Sequence, residues 1–482
     1  MRRTIGPREV VVLHGARVLD PSQRLALPEG GVAIRDGRVL AIGTRAQLEA
    51  ALAGLDELET APRWVSLPAR YVLTPGFVDL HAHLREPGYE AKETIQTGAR
   101  AAARGGFTTI CCMPNTQPVL DSAATLALVA ERARSAAARV LPIAAISKGE
   151  SGKELSEMAE LAQAGAVAFS DDGRPVASSR LMRLALAYAE PLGLPVVEHC
   201  QDEDLVGGGV MNEGPISTML GLPGWPAAGE DVMLARDLAL VRLTGAKYHA
   251  AHLSTAGAVA LIRQAKAEGL PVTAEVTPHH LLLTDAWVAG ERTGPLADAL
   301  RELGLPVPPG DRYDTNTKVN PPLRTARDCQ ALIEGVEDGT IDAIATDHAP
   351  HTWVDKACEY GEAAFGISGL ETALAGLLAL VHTERLSLPA LIAALTIRPA
   401  RAWNLPMGSL APGAQADLTI FDPREDWTVD PAGFASLGKN TPLAGVTLRG
   451  RVRETWLGGQ SVYRADGDRD GESASADTDL SE

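Results

Sequence analysis

The sequence predicts an α/β fold: a (β/α)8 barrel of the TIM type with a small discontinuous β-sandwich formed from both terminal regions. Three observations predict it. Across residues 75–403, short apolar runs alternate with Ala/Leu-rich helical stretches, the pattern of a parallel sheet. There are eight such runs, and eight repeats over this length suit a closed barrel better than an open sheet. At both ends of the chain the texture changes to short β-like runs punctuated by Gly, Asp and Pro.

In chain order, residues 1–74 supply the first part of the sandwich through VVVLHGARVLD, GVAIRDGRVLAIG and RWVSLPARYVL. The barrel runs follow at 75–403: GFVDLHAHL, GFTTICCMPN, ARVLPIAAIS, GAVAFSDDG, LPVVEHC, AKYHAAHLS, LPVTAEVTPHHLLLT and TIDAIATDHAPH. Helical stretches such as TGARAAARGG and SSRLMRLALAYAEPLG separate them, and GLETALAGLLALVH with an Ala-rich segment near 390–403 completes the barrel. Residues 404–464 return to β texture in GSLAPGAQADLTIFD and VTLRGRVRETWLGGQSVY. The remainder, 465–482, is an acidic tail whose seven acids and one arginine carry -6 of the formal -17. It has too little apolar content to offset its ordering entropy, so it is expected to be disordered.

Bulk properties narrow the class. A chain of 482 residues, 45% hydrophobic, can bury a large core, and no apolar run reaches the length of a membrane span. The negative charge argues against a nucleic-acid partner, which needs a basic face. Five cysteines, an odd number with two adjacent, do not make a disulfide framework, and MRRTIGPREVVV lacks a signal-peptide core. A reducing cytoplasm is the expected compartment.

Several barrel runs end in groups that an apolar core rejects: His81 and His83, Asn115, Asp171-Asp172, His199, His252, then Asp347, His348 and His351. In a barrel, strand C-termini share one rim, so these distant residues converge. Period 2 puts His81 and His83 on one face, and imidazole with carboxylate is a ligand set for zinc-like divalent metals. Four histidines and two aspartates suffice for two metals sharing a bridging carboxylate, which suits hydrolysis of an amide-like bond or its reverse. Of Asp171 and Asp172 only one should reach the metals, because neighbours on a strand face opposite ways. Arg85 suits a substrate carboxylate through paired hydrogen bonds, against the alternative of a salt bridge to Glu86 or Glu93. Asn115 and Asn320 offer neutral polar contacts. His14, His249 and His382 read as structural, and His279-His280 as packing or hydrogen-bonding groups.

Taken together, DLHAHLREPG, ARGGFTTICCMPNT, AFSDDG, VEHCQD, HLSTA, TAEVTPHHLLLT, KVNPPLR and ATDHAPH resemble the type I dihydroorotases of the amidohydrolase superfamily, in order and over nearly the whole chain. The resemblance implies reversible, zinc-dependent cyclisation of N-carbamoyl-L-aspartate to L-dihydroorotate in pyrimidine biosynthesis. It implies that His81, His83 and Asp347 hold one zinc and His199 and His252 a second, bridged by Asp172 and a hydroxide. Asp347 would be the acid–base residue. Arg85, Asn115 and His351, beside His83, would hold the substrate carboxylate, while Asn320 and the backbone of Phe365 and Gly366 contact the ring. A homodimer, and a complex with aspartate transcarbamoylase, are the implied partners. Two alternatives stay open: another cyclic amidase such as an allantoinase or dihydropyrimidinase, and a non-catalytic partner of the transcarbamoylase. The stretch before NPPLR is longer and more Pro-rich than the resemblance leads one to expect, so a rim loop should differ there.

Overall fold

The computed structural model describes residues 9–54 and 61–465. The acidic tail expected to be disordered falls, from residue 466 onward, outside the described residues.

The sandwich strands form one hydrogen-bonded path in which the two chain ends meet. Leu418–Thr428 runs antiparallel to Val72–Pro75, with Leu418 opposite Pro75 and Phe421 opposite Val72. From there the path leads outward to Thr447–Leu457 and Gln460–Arg464 on one side, and to Val10–Asp20, Leu25–Arg35 and Arg38–Gly43 on the other. Arg63–Ser66 pairs with Val10–Asp20. Strand alternation builds two apolar faces. Val11 and Leu13 pack with Leu73, Leu418, Ile420 and Trp456. Their neighbours Val10 and Val12 pack against Leu48 and Leu52 of the helix Arg45–Ala53.

The barrel strands are parallel. Phe77–Ala82 pairs with Phe107–Cys112, which pairs with Arg139–Pro142. Val196–Glu198, Tyr248–Ala250, Val272–Val276 and Ala343–Ile344 form a second parallel set. Single bridges join the two sets. The fourth position is the short stretch 167–170, hydrogen-bonded to residues 142–146 on one side and, through Phe169, to Pro195 and Val197 on the other, and Ala82 bridges His348 to close the circle. The fold is therefore the closed (β/α)8 barrel with a two-ended sandwich that the sequence predicts.

Helices return the chain between strands, each started and stopped by local chemistry. Ile95–Gly105 begins at Thr94, whose hydroxyl accepts from Thr97 N, and ends at Gly106 in the left-handed region, φ +91°. A side chain at Gly106 would meet the Phe77 ring at 2.9 Å, so glycine is needed both for the turn and for the close approach. Below the strands, Leu388–Leu395 and Ile397–Ala402 lead to Trp403, which packs with Val78, Leu80, Cys111, Ile143 and Ala345. Among the described residues no helix is long and apolar enough to cross a membrane.

Candidate metal centre and substrate pocket

The polar strand ends meet at one place. His81, His83, Asp172, His199, His252 and Asp347 are all buried, with relative exposures of 6% or less. His83 Nε2 lies 3.0 Å from Asp347 Oδ1 and 3.5 Å from Asp172 Oδ2. His81 Nε2 is 3.4 Å from Asp172 Oδ1 and 3.6 Å from Asp347 Oδ1. On the far side His252 Nε2 approaches Asp172 Oδ1 at 3.4 Å, and His199 Nδ1 stands 2.9 Å from His252 Nε2 and 3.8 Å from Asp172 Oδ1. Asp172 thus sits between both groups of histidines. Asp171 turns away, accepting from Ser147 N and Ser147 Oγ.

Three of the four imidazoles are oriented by what the other nitrogen does, while His252 Nδ1 has no hydrogen-bond partner among the described residues. His81 Nδ1 donates to Glu275 Oε1 at 2.7 Å and His83 Nδ1 to Asn115 Oδ1 at 3.0 Å, which leaves both Nε2 atoms facing the cluster. His199 is reversed: Nε2 donates to Gln201 Oε1 at 2.8 Å, so Nδ1 faces inward. Backbone strain is concentrated here too. Arg85, His252 and Asp347 have φ of +62°, +29° and +45°, values that a non-glycine residue holds only when its surroundings impose them.

The charges are those of a cation site. Burial alone would neutralise Asp172, but His81 and His252 outweigh it and hold its carboxyl well below the usual range. Asp347 is likewise depressed, with burial opposed by His83 and His81. Glu275 is held at about 2, burial being overcome by His81 and His249. Burial and the His252 ring push His199 down to about 4, so its ring is neutral and Nδ1 keeps a lone pair facing inward. Buried His81 Nε2 and Asp172 Oδ1 have no hydrogen-bond partner although they face each other across the cluster. Against burial, Asp172 and Glu275 hold His81 in its protonated form, so imidazolium stands in for positive charge, and imidazole nitrogens facing carboxylate oxygens at 3–4 Å fit a divalent metal in its place. Two overlapping triads satisfy ligand spacing, His81–His83–Asp347 and His81–Asp172–His252.

A cavity of about 220 Å3 opens above the cluster. It is lined by His83, Arg85, Asn115, Asp172, His199, His252, Asn320, Asp347, Phe365 and Gly366, together with Gly173, Val319 and Ala349. Arg85 Nε donates to Pro350 O at 3.3 Å, and among the described residues no carboxylate pairs with the guanidinium. The acids that spacing offered are engaged elsewhere: Glu86 with Ile95 N and Arg132, Glu93 with Thr97, Ser436 and His348. His351 stands beside Arg85, its Nε2 3.3 Å from Arg85 Nη2. Lys92 Nζ donates to His351 Nδ1 at 3.4 Å, so Nε2 carries the proton and donates to Phe365 O at 2.8 Å. Burial, with Arg85, Lys356 and Lys92 nearby, lowers the His351 pKa to about 2 and keeps its ring neutral. Two N–H groups therefore face each other in the Arg85–His351 contact, and the guanidinium edge stays available for an anion.

Three contributors escaped the sequence reading. Glu275 accepts from His81 and lies 3.2 Å from His249 Nε2, so His249 buttresses the cluster through one carboxylate. Gln201 joins His199 to Asn320, accepting from Asn320 Nδ2 at 3.2 Å. Lys92 fixes the His351 tautomer. The signal for Glu275 was an acid in the middle of the apolar run LPVTAEV. His280 is as expected a hydrogen-bonding group, joined to Thr277 Oγ1 and Pro321 O, with His279 packed on it.

Residues 70–258 match the family model described as Dihydro-orotase-like, and residues 320–463 match the Amidohydrolase family. The Dihydroorotase of Anaeromyxobacter sp. (strain K) is 51% identical over 458 residues, covering 94% of this chain and 98% of that one. The chain belongs to the dihydroorotase family. A second family member, the Dihydroorotase of Syntrophus aciditrophicus (strain SB), is 47% identical over 95% of this chain and all of its own. Solved structures extend the likeness of fold alone. L-Hydantoinase (Dihydropyrimidinase) from Arthrobacter aurescens superposes with a TM-score of 0.77 over 94% of this chain and 96% of that one, at 24% identity. Membership of the dihydroorotase family makes the chain a hydrolase of cyclic amide bonds with a metal cofactor and a small-molecule substrate.

Proposed function

We propose that this chain is a zinc-dependent dihydroorotase that interconverts N-carbamoyl-L-aspartate and L-dihydroorotate. The observation that carries the choice of substrate is Arg85, a guanidinium without a carboxylate partner facing the cavity that also holds the metal-binding cluster. A neutral cyclic amide has no use for it; a ring bearing a carboxylate does.

In this reading His81, His83 and Asp347 would hold one zinc and His199 and His252 a second, with Asp172 shared between them. Bound there, zinc would polarise the amide carbonyl and acidify a coordinated water. Asp347 takes the proton from the attacking water and delivers it to the leaving ring nitrogen; in synthesis it removes a proton from the ureido nitrogen as water departs. Against burial, His83 and His81 keep its carboxyl ionised, the form a proton acceptor needs. Arg85, Asn115 and His351 hold the substrate carboxylate beside His83. Asn320 and the Phe365–Gly366 backbone hold the ring. Residues 75–403 form the catalytic unit, and 1–74 with 404–464 its sandwich. A homodimer that associates with aspartate transcarbamoylase is the assembly that the family resemblance supports.

Turnover of dihydroorotate, dihydrouracil and allantoin, measured side by side with metal quantification and with the transcarbamoylase added or omitted, tests this. Dihydroorotate alone should react, with about two zinc per chain, the number that six such ligands accommodate. Turnover of only the other two substrates would refute the assignment. Arg85→Met should raise KM for dihydroorotate by about tenfold or more, the loss of a charge-assisted hydrogen bond, and an unchanged KM would remove Arg85 from the carboxylate site.

A further inference from the structure

The part of the pocket lining that carries Asn320, Phe365 and Gly366 is held by a buried cation that the proposed reaction does not use. Lys356 ends the short helix Trp353–Lys356 and is 6% exposed. Its Nζ donates to three backbone carbonyls: Ala364 O at 2.6 Å, Thr315 O at 3.0 Å and Lys318 O at 3.3 Å. Among the described residues no carboxylate lies in ion-pair range of it, although burying an ammonium is costly. Further bonds tie the same segments together. Thr315 Oγ1 donates to Lys356 O at 2.6 Å, Ala364 N to Asp355 O at 3.0 Å, and Gly366 N to Lys318 O at 2.9 Å.

Two of these segments continue directly into the pocket. Lys318 is followed by Val319 and Asn320, and Ala364 by Phe365 and Gly366, all of which line the cavity. Phe365 also accepts from His351, so the knot reaches the carboxylate end. We infer that Lys356 is a positioning residue: its three-carbonyl knot sets the distance of Asn320 and Phe365–Gly366 from the catalytic cluster, and through it the affinity for the ring of the substrate. The inference rests on the dihydroorotase reading above.

Charge gives the knot a pH signature. Burial and the Lys318 ammonium push the Lys356 pKa down to about 7. The groups facing it are Lys318 and Asp314 from the segment before Asn320, Asp355 and Cys358 from its own turn, and His351; Glu362 acts on Lys318 from the third side. An ammonium offers three N–H donors, one for each carbonyl, while the amine formed above pH 7 offers only two. One wall segment then loses its tie, so affinity should fall as pH rises through that value.

The test is steady-state dihydroorotate hydrolysis by the metal-loaded full chain between pH 6 and 9, for the wild type, Lys356→Met and Thr315→Val, with metal content and Tm. Lys356→Met should raise KM about tenfold at pH 6.5 while kcat falls no more than about threefold and metal content holds, the split expected of a displaced binding wall. Wild-type KM should climb above pH 7, and that limb should be missing from Lys356→Met. Thr315→Val, which loosens the knot from the other side, should raise KM by a smaller factor. A folded Lys356→Met with wild-type KM, or one losing kcat and metal together, overturns the inference. If Lys356→Met does not fold, an unchanged KM in Thr315→Val overturns it instead. A wild-type chain inert toward dihydroorotate refutes the underlying function and this inference with it, whereas an active wild type with an unmoved KM in both variants refutes this inference alone.

Discussion

The sandwich and the barrel mouth both contain acid–base pairs at short range, and the pairs do different work. Arg449 and Asp426 meet in two contacts of 2.7 and 2.9 Å, with side chains 27% and 41% exposed. His83 and Asp347 meet at 3.0 Å, with both side chains 7% exposed. Water screens the first pair and leaves it little net energy. In the second, unscreened charge accumulates on Asp172, Asp347 and Glu275, and a bound cation is the natural compensation. Burial, more than chemical type, separates decoration from machinery.

Four substitutions probe that contrast. Asp347→Ala should have the largest effect, lowering kcat by about a thousandfold or more while substrate still binds, since it removes the acid–base group; a variant with near-normal turnover would take that role from Asp347. Next is Trp456→Ala in the sandwich, where the side chain is fully buried among Leu73, Leu418 and Ile420. It should cost about 3–5 kcal/mol of stability, read as a fall in Tm and in denaturant midpoint, with kcat per folded molecule kept. A matching loss of kcat would mean that sandwich and mouth are coupled. Glu275→Gln should weaken metal binding by about 10–100-fold, because the acceptor that fixes the His81 tautomer loses its charge. Competition with a chelator measures this, and unaltered affinity would reduce Glu275 to packing. Arg449→Ala should change stability by less than about 1 kcal/mol and leave turnover alone; a larger shift would show that exposure understates that pair.

The contrast also explains what the sequence disclosed. His81, His83, His199, His252 and Asp347 were legible because each ends an apolar run, and a barrel gathers such ends on one rim. Strand alternation said only that one of Asp171 and Asp172 should face the cluster; the resemblance pointed to Asp172, and the structure turns Asp171 away toward Ser147. Glu275 was not legible in the same way: it lies inside its strand, and its partner His81 is 194 residues away in sequence. Lys356 was hidden for a related reason, since its partners are backbone carbonyls, which leave no trace in residue type. The fourth barrel position reads as a full apolar run, yet in space its pairing is confined to residues 167–170, directly before Asp171 and Asp172.

The closure of the barrel at Ala82 and His348 has a consequence for how the enzyme matures. Those two residues adjoin His81, His83 and Asp347, so the seam that joins the first strand to the last is flanked on both sides by residues spaced to hold a metal. During synthesis the histidines emerge long before their aspartate. A half-made chain offers the four imidazoles and Asp172 at most, and the cluster that includes Asp347 exists only when the circle has shut. Metal capture would then be tied to topological completion, because an ion held by residues from both sides of the seam binds the closed barrel and not the open chain, and so stabilises the closed form.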